Sequence, residues 1–217
     1  MKQSYKIAFV NQSTGLLFKG LAKNLSMEWF PAVLYTGCDS SPQNNSLNEH
    51  LVERVFNAYD RTSVFSRILS GLIFSLKVFY NLLKNRHRLV IFVSNPPFIP
   101  FVGLLLKKVI NQKYIIIVYD IYPDILLEVK NFSEKNFIVK LWRKINKLIY
   151  EQSEAVITIG VQMKKALEMS FDSNKTSIGE VVVIPNCADP LEINYTKNIS
   201  FVCDRFTVSS LFVTICD

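Results

Sequence analysis

Short apolar runs alternate along this chain with polar turns and with stretches of helical periodicity. Tyr5–Val10 (YKIAFV) predicts a first strand rather than a signal peptide, because no small-residue cleavage pattern follows it. The turn Asn11–Gly15 and a helix over Leu16–Glu28 come next. Phe30–Tyr35 (FPAVLY) predicts a second strand, with Pro31 restricting it to a sheet edge or falling among its first residues. Residues 37–50 are polar and turn-rich and predict a surface loop. A long helix is expected over Ser63–Lys84. It carries Arg67, Ser70, Gly71, Ser75, Lys77 and Asn81, so no window of about 18 residues is free of charge. A core helix lying near a membrane fits that pattern better than a spanning one.

The second half repeats the rhythm. Leu89–Val93 (LVIFV) is a strand ending in Ser94-Asn95-Pro96-Pro97, followed by a helix from about Phe98 to Ile110. Tyr114–Tyr119 is the next strand, and Pro123 suits the first turn of a helix, where its missing N–H would be unpaired in any case. Asn136–Gln152 has helical periodicity, with Ile138, Leu141, Trp142, Ile145, Leu148 and Ile149 on one face and Lys140, Arg143, Lys144 and Lys147 on another. Ala155–Ile159 is a strand, Gln162–Met169 a short helix, and Val181–Ile184 a strand ending in Pro185-Asn186.

Strands thus alternate with helices, and the central strands are continuous apolar runs. Burial on both faces produces that signature, as in a parallel sheet covered by helices. The expected fold is α/β, a doubly wound, Rossmann-like parallel sheet over residues 1–195. Residues 196–217 read as an irregular tail, the apparent start of a further domain.

Composition narrows the chemistry. The 217 residues suffice for one well-buried domain, and 49% hydrophobic against 20% charged residues excludes a disordered chain. Only 7 glycines are present, which argues against glycine-rich phosphate loops. The net charge of +7 favours anionic partners or simply a solubilising surface. Cys38, Cys187, Cys203 and Cys216 show no CxxC spacing, so reduced cytosolic thiols are expected and no metal site.

In an open parallel sheet, ligands bind beyond the carboxyl ends of the strands. Four such ends carry polar or turn residues: Asn11–Gly15, Ser94–Pro97, Asp120–Asp124 and Asn186–Asp189. Asp120 follows a continuous apolar run, IIIVY. It is either a turn residue supporting the Pro123 helix or an acid that orients a sugar hydroxyl and takes its proton. Asp124 reads as a complement to that helix's dipole. No GxGxxG, Walker A or GxSxG pattern is present, and His50 and His87 have no catalytic context. Lys140, Trp142, Arg143, Lys144 and Lys147 suit either an ordinary packed helix or the surface of an anionic membrane. A nucleic-acid reading has the charge but no module, and no nucleic-acid partner is expected.

Taken in order, SNPPFIP, YDIYPD and VIPNCADP resemble the N-terminal domain of a family 4 glycosyltransferase, over about residues 4–190. The bacterial enzymes of capsule, O-antigen and colanic-acid-type polysaccharide synthesis are the most similar group. The resemblance implies a GT-B architecture of two Rossmann-like halves, with the N-terminal half receiving the acceptor. It implies retention of anomeric configuration and no metal or other cofactor beyond a nucleotide-sugar co-substrate. It also implies a polyprenyl-diphosphate-linked sugar or glycan acceptor, handled by a peripheral enzyme on the cytoplasmic face of the inner membrane.

By position, the resemblance makes Asp120 the catalytic cleft residue. Ser13 and Gly15 match the loop approaching the donor phosphates, and Asn186 the inter-domain turn. Asn95 and Tyr122, in the two loops between, complete the substrate-binding candidates. The chain departs from the family in retaining only Gly15 in its first loop and in placing Cys187 where glycine is usual. It also has no two glutamates eight positions apart, the donor half's signature. The expectation is therefore an acceptor-side half whose donor half lies elsewhere, for instance on a separate chain. The alternative is a non-catalytic, membrane-associated scaffold subunit.

Overall fold

The computed structural model describes residues 6–28, 31–37, 50–60, 62–124, 136–170 and 180–185. In chain order the elements are β1 (Ile7–Asn11), α1 (Leu16–Glu28), β2 (Ala32–Thr36), β3 (Leu51–Val55), α2 (Val64–Lys84), β4 (Leu89–Val93) and α3 (Ile99–Ile110). They continue with β5 (Tyr114–Val118), α4 (Phe137–Glu151), β6 (Ala155–Thr158), α5 (Val161–Ser170) and β7 (Glu180–Val183). The seven strands form one sheet in the order β3-β2-β1-β4-β5-β6-β7, every pairing parallel. The fold is the doubly wound, Rossmann-like α/β architecture expected from the apolar runs.

Alternate side chains of the central strands enter two separate cores, as a period of two requires. Ala8, Val10, Val90, Phe92, Tyr114 and Ile116 pack with Phe74, Val78 and Leu82 of α2, Val102 and Leu106 of α3 and Ile149 of α4. Ile7, Phe9, Leu89, Ile91, Ile115 and Ile117 point the other way, where Phe18, Ala22 and Leu25 of α1 meet them. Both faces are covered, so β1, β4 and β5 are buried along their whole length.

Sequence and structure part company at the left edge. Leu51–Val55 (LVERV) is a strand that the polarity of the region hides. Its Glu53 pairs with Lys19 at 2.7 Å, and the Arg54 guanidinium lies 5.9 Å from the Tyr35 ring centre. An edge strand tolerates such charges, and they discourage pairing with another chain. Because β3 occupies the edge, β2 is interior. Pro31 ends up just before β2 and costs the ladder nothing, its carbonyl accepting from Lys6 N–H.

Ser63 caps α2, its Oγ accepting from Ser66 N–H at 3.0 Å, and Asn136 caps α4 in the same way through Ile138 N–H. The apolar face assigned to α4 needs correction. Val139, Ile149 and Tyr150 are buried, whereas Ile138 and Leu141 are exposed. Apolar residues occupy well over half of this helix's circumference, so periodicity alone leaves its rotation undetermined.

Candidate functional site

Strand order reverses between β1 and β4, and a ligand crevice opens there beyond the carboxyl ends. All strands being parallel, the loops after β1, β4 and β5 lie on one rim. Asp120 stands on that rim, partly buried, two residues past the end of β5, the strand next to β4. Ser13, Gly15, Asn95 and Tyr122 share the rim with it. Asn186 lies outside the described residues, as do Cys187 and the tail 196–217.

The loops after β1, β2 and β3 are tied down from below. Asn11 Oδ1 accepts from Ser13 N–H at 3.2 Å, and the Thr14 hydroxyl donates to Asn11 O at 2.8 Å while meeting the Thr36 hydroxyl at 2.9 Å. Gln12 is fully buried, and its Nε2 donates to Asn57 O at 3.3 Å and to Ser70 O at 3.1 Å. Asn57 Nδ2 donates to the same Ser70 carbonyl at 2.8 Å. Gly37 sits in the middle: a Cβ there would stand 2.3 Å from Asn57 O and 2.8 Å from Gln12 Cγ. Only a residue without a side chain lets these loops meet. Gly15, in contrast, has nothing within 4 Å of its would-be Cβ and no left-handed backbone. It is exposed at the start of α1, so the space above it stays open to a ligand.

The loops after β4 and β5 are arranged differently. Ser94 is buried, its N–H donating to Ile117 O at 2.9 Å. Its Oγ accepts from Tyr119 N–H at 3.0 Å and, more weakly, from Asp120 N–H at 3.4 Å. One hydroxyl thus holds the backbone of the β5 loop and aims Asp120 from beneath. Among the described residues the Asp120 carboxylate makes no ion pair or hydrogen bond. It is close enough to Tyr122 to raise that phenol's pKa, together with burial, the larger cause, and Tyr59.

Three aromatic rings brace this half. Trp142 of α4 stacks against Tyr122 at 6.1 Å between centroids with planes 8° apart, and against Phe98 at 6.1 Å and 21°. Arg143 donates through Nε to Asp124 Oδ1 at 2.9 Å, and Asn146 Nδ2 donates to Tyr122 O. A cavity of about 320 Å³ lies between the β5 loop and α4, lined by Ile121, Tyr122, Asp124, Arg143, Asn146, Lys147, Tyr150 and Leu167.

The set placed on a membrane-facing surface therefore divides. Lys140 and Lys144 are exposed, but Trp142 is stacked between two rim loops with its indole Nε1 buried. Arg143 is turned to Asp124 and Lys147 to the cavity. Asp124 serves as the partner of Arg143. Sequence reading missed Ser94, Gln12 and Asn57. A polar residue ending an apolar strand, as Ser94 does, was the available signal. Gln12 and Asn57 depend on loops brought together from distant parts of the chain. Among the described residues no three His, Cys, Asp or Glu side chains gather as metal ligands.

No family model and no curated protein matches the chain. Solved structures do. Sucrose-phosphate synthase from Thermosynechococcus elongatus is similar with a TM-score of 0.60 at 14% identity, over 86% of this chain and 49% of that one. Anabaena HepE in complex with UDP and glucose matches with a TM-score of 0.53 at 17% identity, over 85% and 45%. Phytolacca americana UGT2, complexed with UDP-2-fluoro-glucose and pterostilbene, matches with a TM-score of 0.52 at 9% identity, over 82% and 54%. The chain spans about half the length of these structures, and its fold is that of one half of a GT-B glycosyltransferase.

Proposed function

We propose that this chain is the acceptor-side half of a retaining glycosyltransferase of cell-surface polysaccharide synthesis. It would receive a lipid-linked or glycan acceptor while a second Rossmann-like half holds the nucleotide-sugar. The observation that carries this reading is Asp120: a carboxylate with no ion pair among the described residues, at the rim of a half-GT-B fold, near the switch in strand order, with its backbone steadied by Ser94. The UDP and glucose bound by HepE support a nucleotide-sugar as the donor.

In the proposed reaction the acceptor hydroxyl bonds to the anomeric carbon from the same face that the donor phosphate leaves, as the bond from that carbon to the phosphate breaks, so that configuration is retained. The nucleoside diphosphate leaves with the electron pair. Asp120 accepts the hydroxyl's hydrogen bond and takes its proton as the new bond forms, general-base help of about 10²–10⁴-fold. Tyr122 shapes the same side of the crevice.

Transfer of labelled sugar to a soluble acceptor analogue, with the donor half fused or added as a separate chain, tests this directly. Asp120→Asn is expected to lower the rate at least about 100-fold, and Asp124→Asn to leave it within a few-fold. Undiminished transfer by Asp120→Asn would remove the catalytic assignment and leave the chain as a binding module.

A further inference from the structure

We infer that α2 is the surface by which this protein lies on an anionic membrane. By length and composition α2 is apolar enough to cross a bilayer, with 21 residues and a mean hydropathy of 1.2. The fold forbids that use of it. Ser70, Gly71, Phe74, Ser75, Val78 and Leu82 are packed onto the sheet, and a spanning α2 would strip Phe74, Val78 and Leu82 from the core.

The opposite face is where the anomaly lies. Phe65 is 74% exposed and Leu76 68%, and Ile68, Leu69, Leu72 and Ile73 are exposed with them. They form an apolar strip along a helix about 30 Å long. Isolated exposed hydrophobics need no explanation, but a contiguous strip of this kind marks an interaction surface.

Charge selects the occupant. α2 packs beside α3, and α3 beside α4. These three helices carry Arg67, Lys77, Lys84, Lys107, Lys108, Lys140, Arg143, Lys144 and Lys147 against a single acid, Glu151. Lys107 pairs with Glu154, Arg143 with Asp124, and Lys147 faces the cavity, but the exposed Lys77, Lys84, Lys108, Lys140 and Lys144 lie on a layer whose outer side also exposes Val109, Phe137 and Ile138. A protein partner would need an equally acidic, equally greasy face. An anionic bilayer supplies both properties at once: headgroups for the cations and acyl chains for the strip. A helix lying in the interface plane leaves its packed face on the sheet, so docking needs no change of fold.

The inference rests on the lipid-linked acceptor of the proposed function for its setting, but its test needs no catalysis. The full chain is sedimented with vesicles of phosphatidylcholine alone or mixed with phosphatidylglycerol, without any sugar substrate. Binding to the anionic vesicles is expected, weakening with salt. Leu72→Glu/Leu76→Glu should lower it at least about tenfold, and Lys77→Gln by about fivefold, the equivalent of one interfacial cation. Both changes are at exposed positions, and an unchanged far-UV spectrum and melting temperature would show that the fold persists. Ile138→Glu on α4 should cost less than the α2 pair.

Failure to bind anionic vesicles, or equal binding by the double variant, overturns the inference. So does a self-associated wild type that the double variant turns into a monomer, since the strip would then join two copies. Transfer to a soluble acceptor does not depend on vesicles, so loss of docking and loss of catalysis are separable outcomes.

Discussion

The two halves of the rim are built on opposite plans. On the β1-β2-β3 side, loops are knotted to one another through Gln12, Asn57, Ser70 and the bare backbone of Gly37, with buried amides at the centre. On the β4-β5 side, one serine hydroxyl and a stack of three aromatic rings hold the backbone, and an acid stands there with no ion pair among the described residues. The first half is braced so that the crevice keeps its shape. The second spends its bracing on backbone and rings, which leaves Asp120 available. Among the described residues the Asp120 carboxylate has no ion pair or hydrogen bond, and that is the feature that distinguishes a site from a turn.

Breaking the knot should have the largest effect. Gly37→Ala puts a methyl 2.3 Å from a backbone oxygen that cannot rotate away. A loss of about 3 kcal/mol is expected from such overpacking, read as a lower midpoint in urea. A loss under about 0.5 kcal/mol would mean that the three loops are not locked together.

Removing a brace on the other side should cost less stability and more order. Trp142→Ala deletes a half-buried ring between Phe98 and Tyr122, with an expected cost of about 2 kcal/mol, below the value for a fully buried tryptophan. Amide exchange should then quicken at residues 119–122 and not at 12–14. Equal quickening in both loops would show that the halves are not independent.

The smallest effect is the most local. Burial, Asp120 and Tyr59 together raise the Tyr122 phenol above its ordinary 10.0. A phenol held protonated by the fold contributes stability that is full below about pH 10 and is lost as pH rises through the folded pKa. Asp120→Asn removes one cause but leaves burial in place. The Tyr122 titration should therefore move down while remaining above 10. Alkaline difference spectra, assigned with Tyr122→Phe, would show it, and an unmoved titration would place the carboxylate away from the ring.

Much of this molecule was legible in its sequence. Continuous apolar runs predicted β1, β4, β5 and β6 to within a residue or two, because strands buried on both faces admit little else. Ser63 and Asn136 marked helix starts through chemistry confined to one turn. The rim position of Asp120 followed from strand polarity alone, since parallel strands send all their carboxyl ends to one edge.

Other features needed the fold. β3 escaped notice because Glu53 and Arg54 find partners on Lys19 and Tyr35, which lie far away in the chain. The rotation of two amphipathic helices needed the fold for a similar reason. In α4 the apolar arc is so wide that only packing decides its rotation, and packing turns Trp142 and Arg143 toward the β5 loop. In α2 the sheet claims Phe74, Val78 and Leu82 and leaves Phe65, Leu72 and Leu76 outside. The order of residues along the chain determined which segments are strands and which are helices, because those choices depend on near neighbours. Which faces turn inward, and which side chains meet across the rim, were decided only when segments distant in sequence closed on one another.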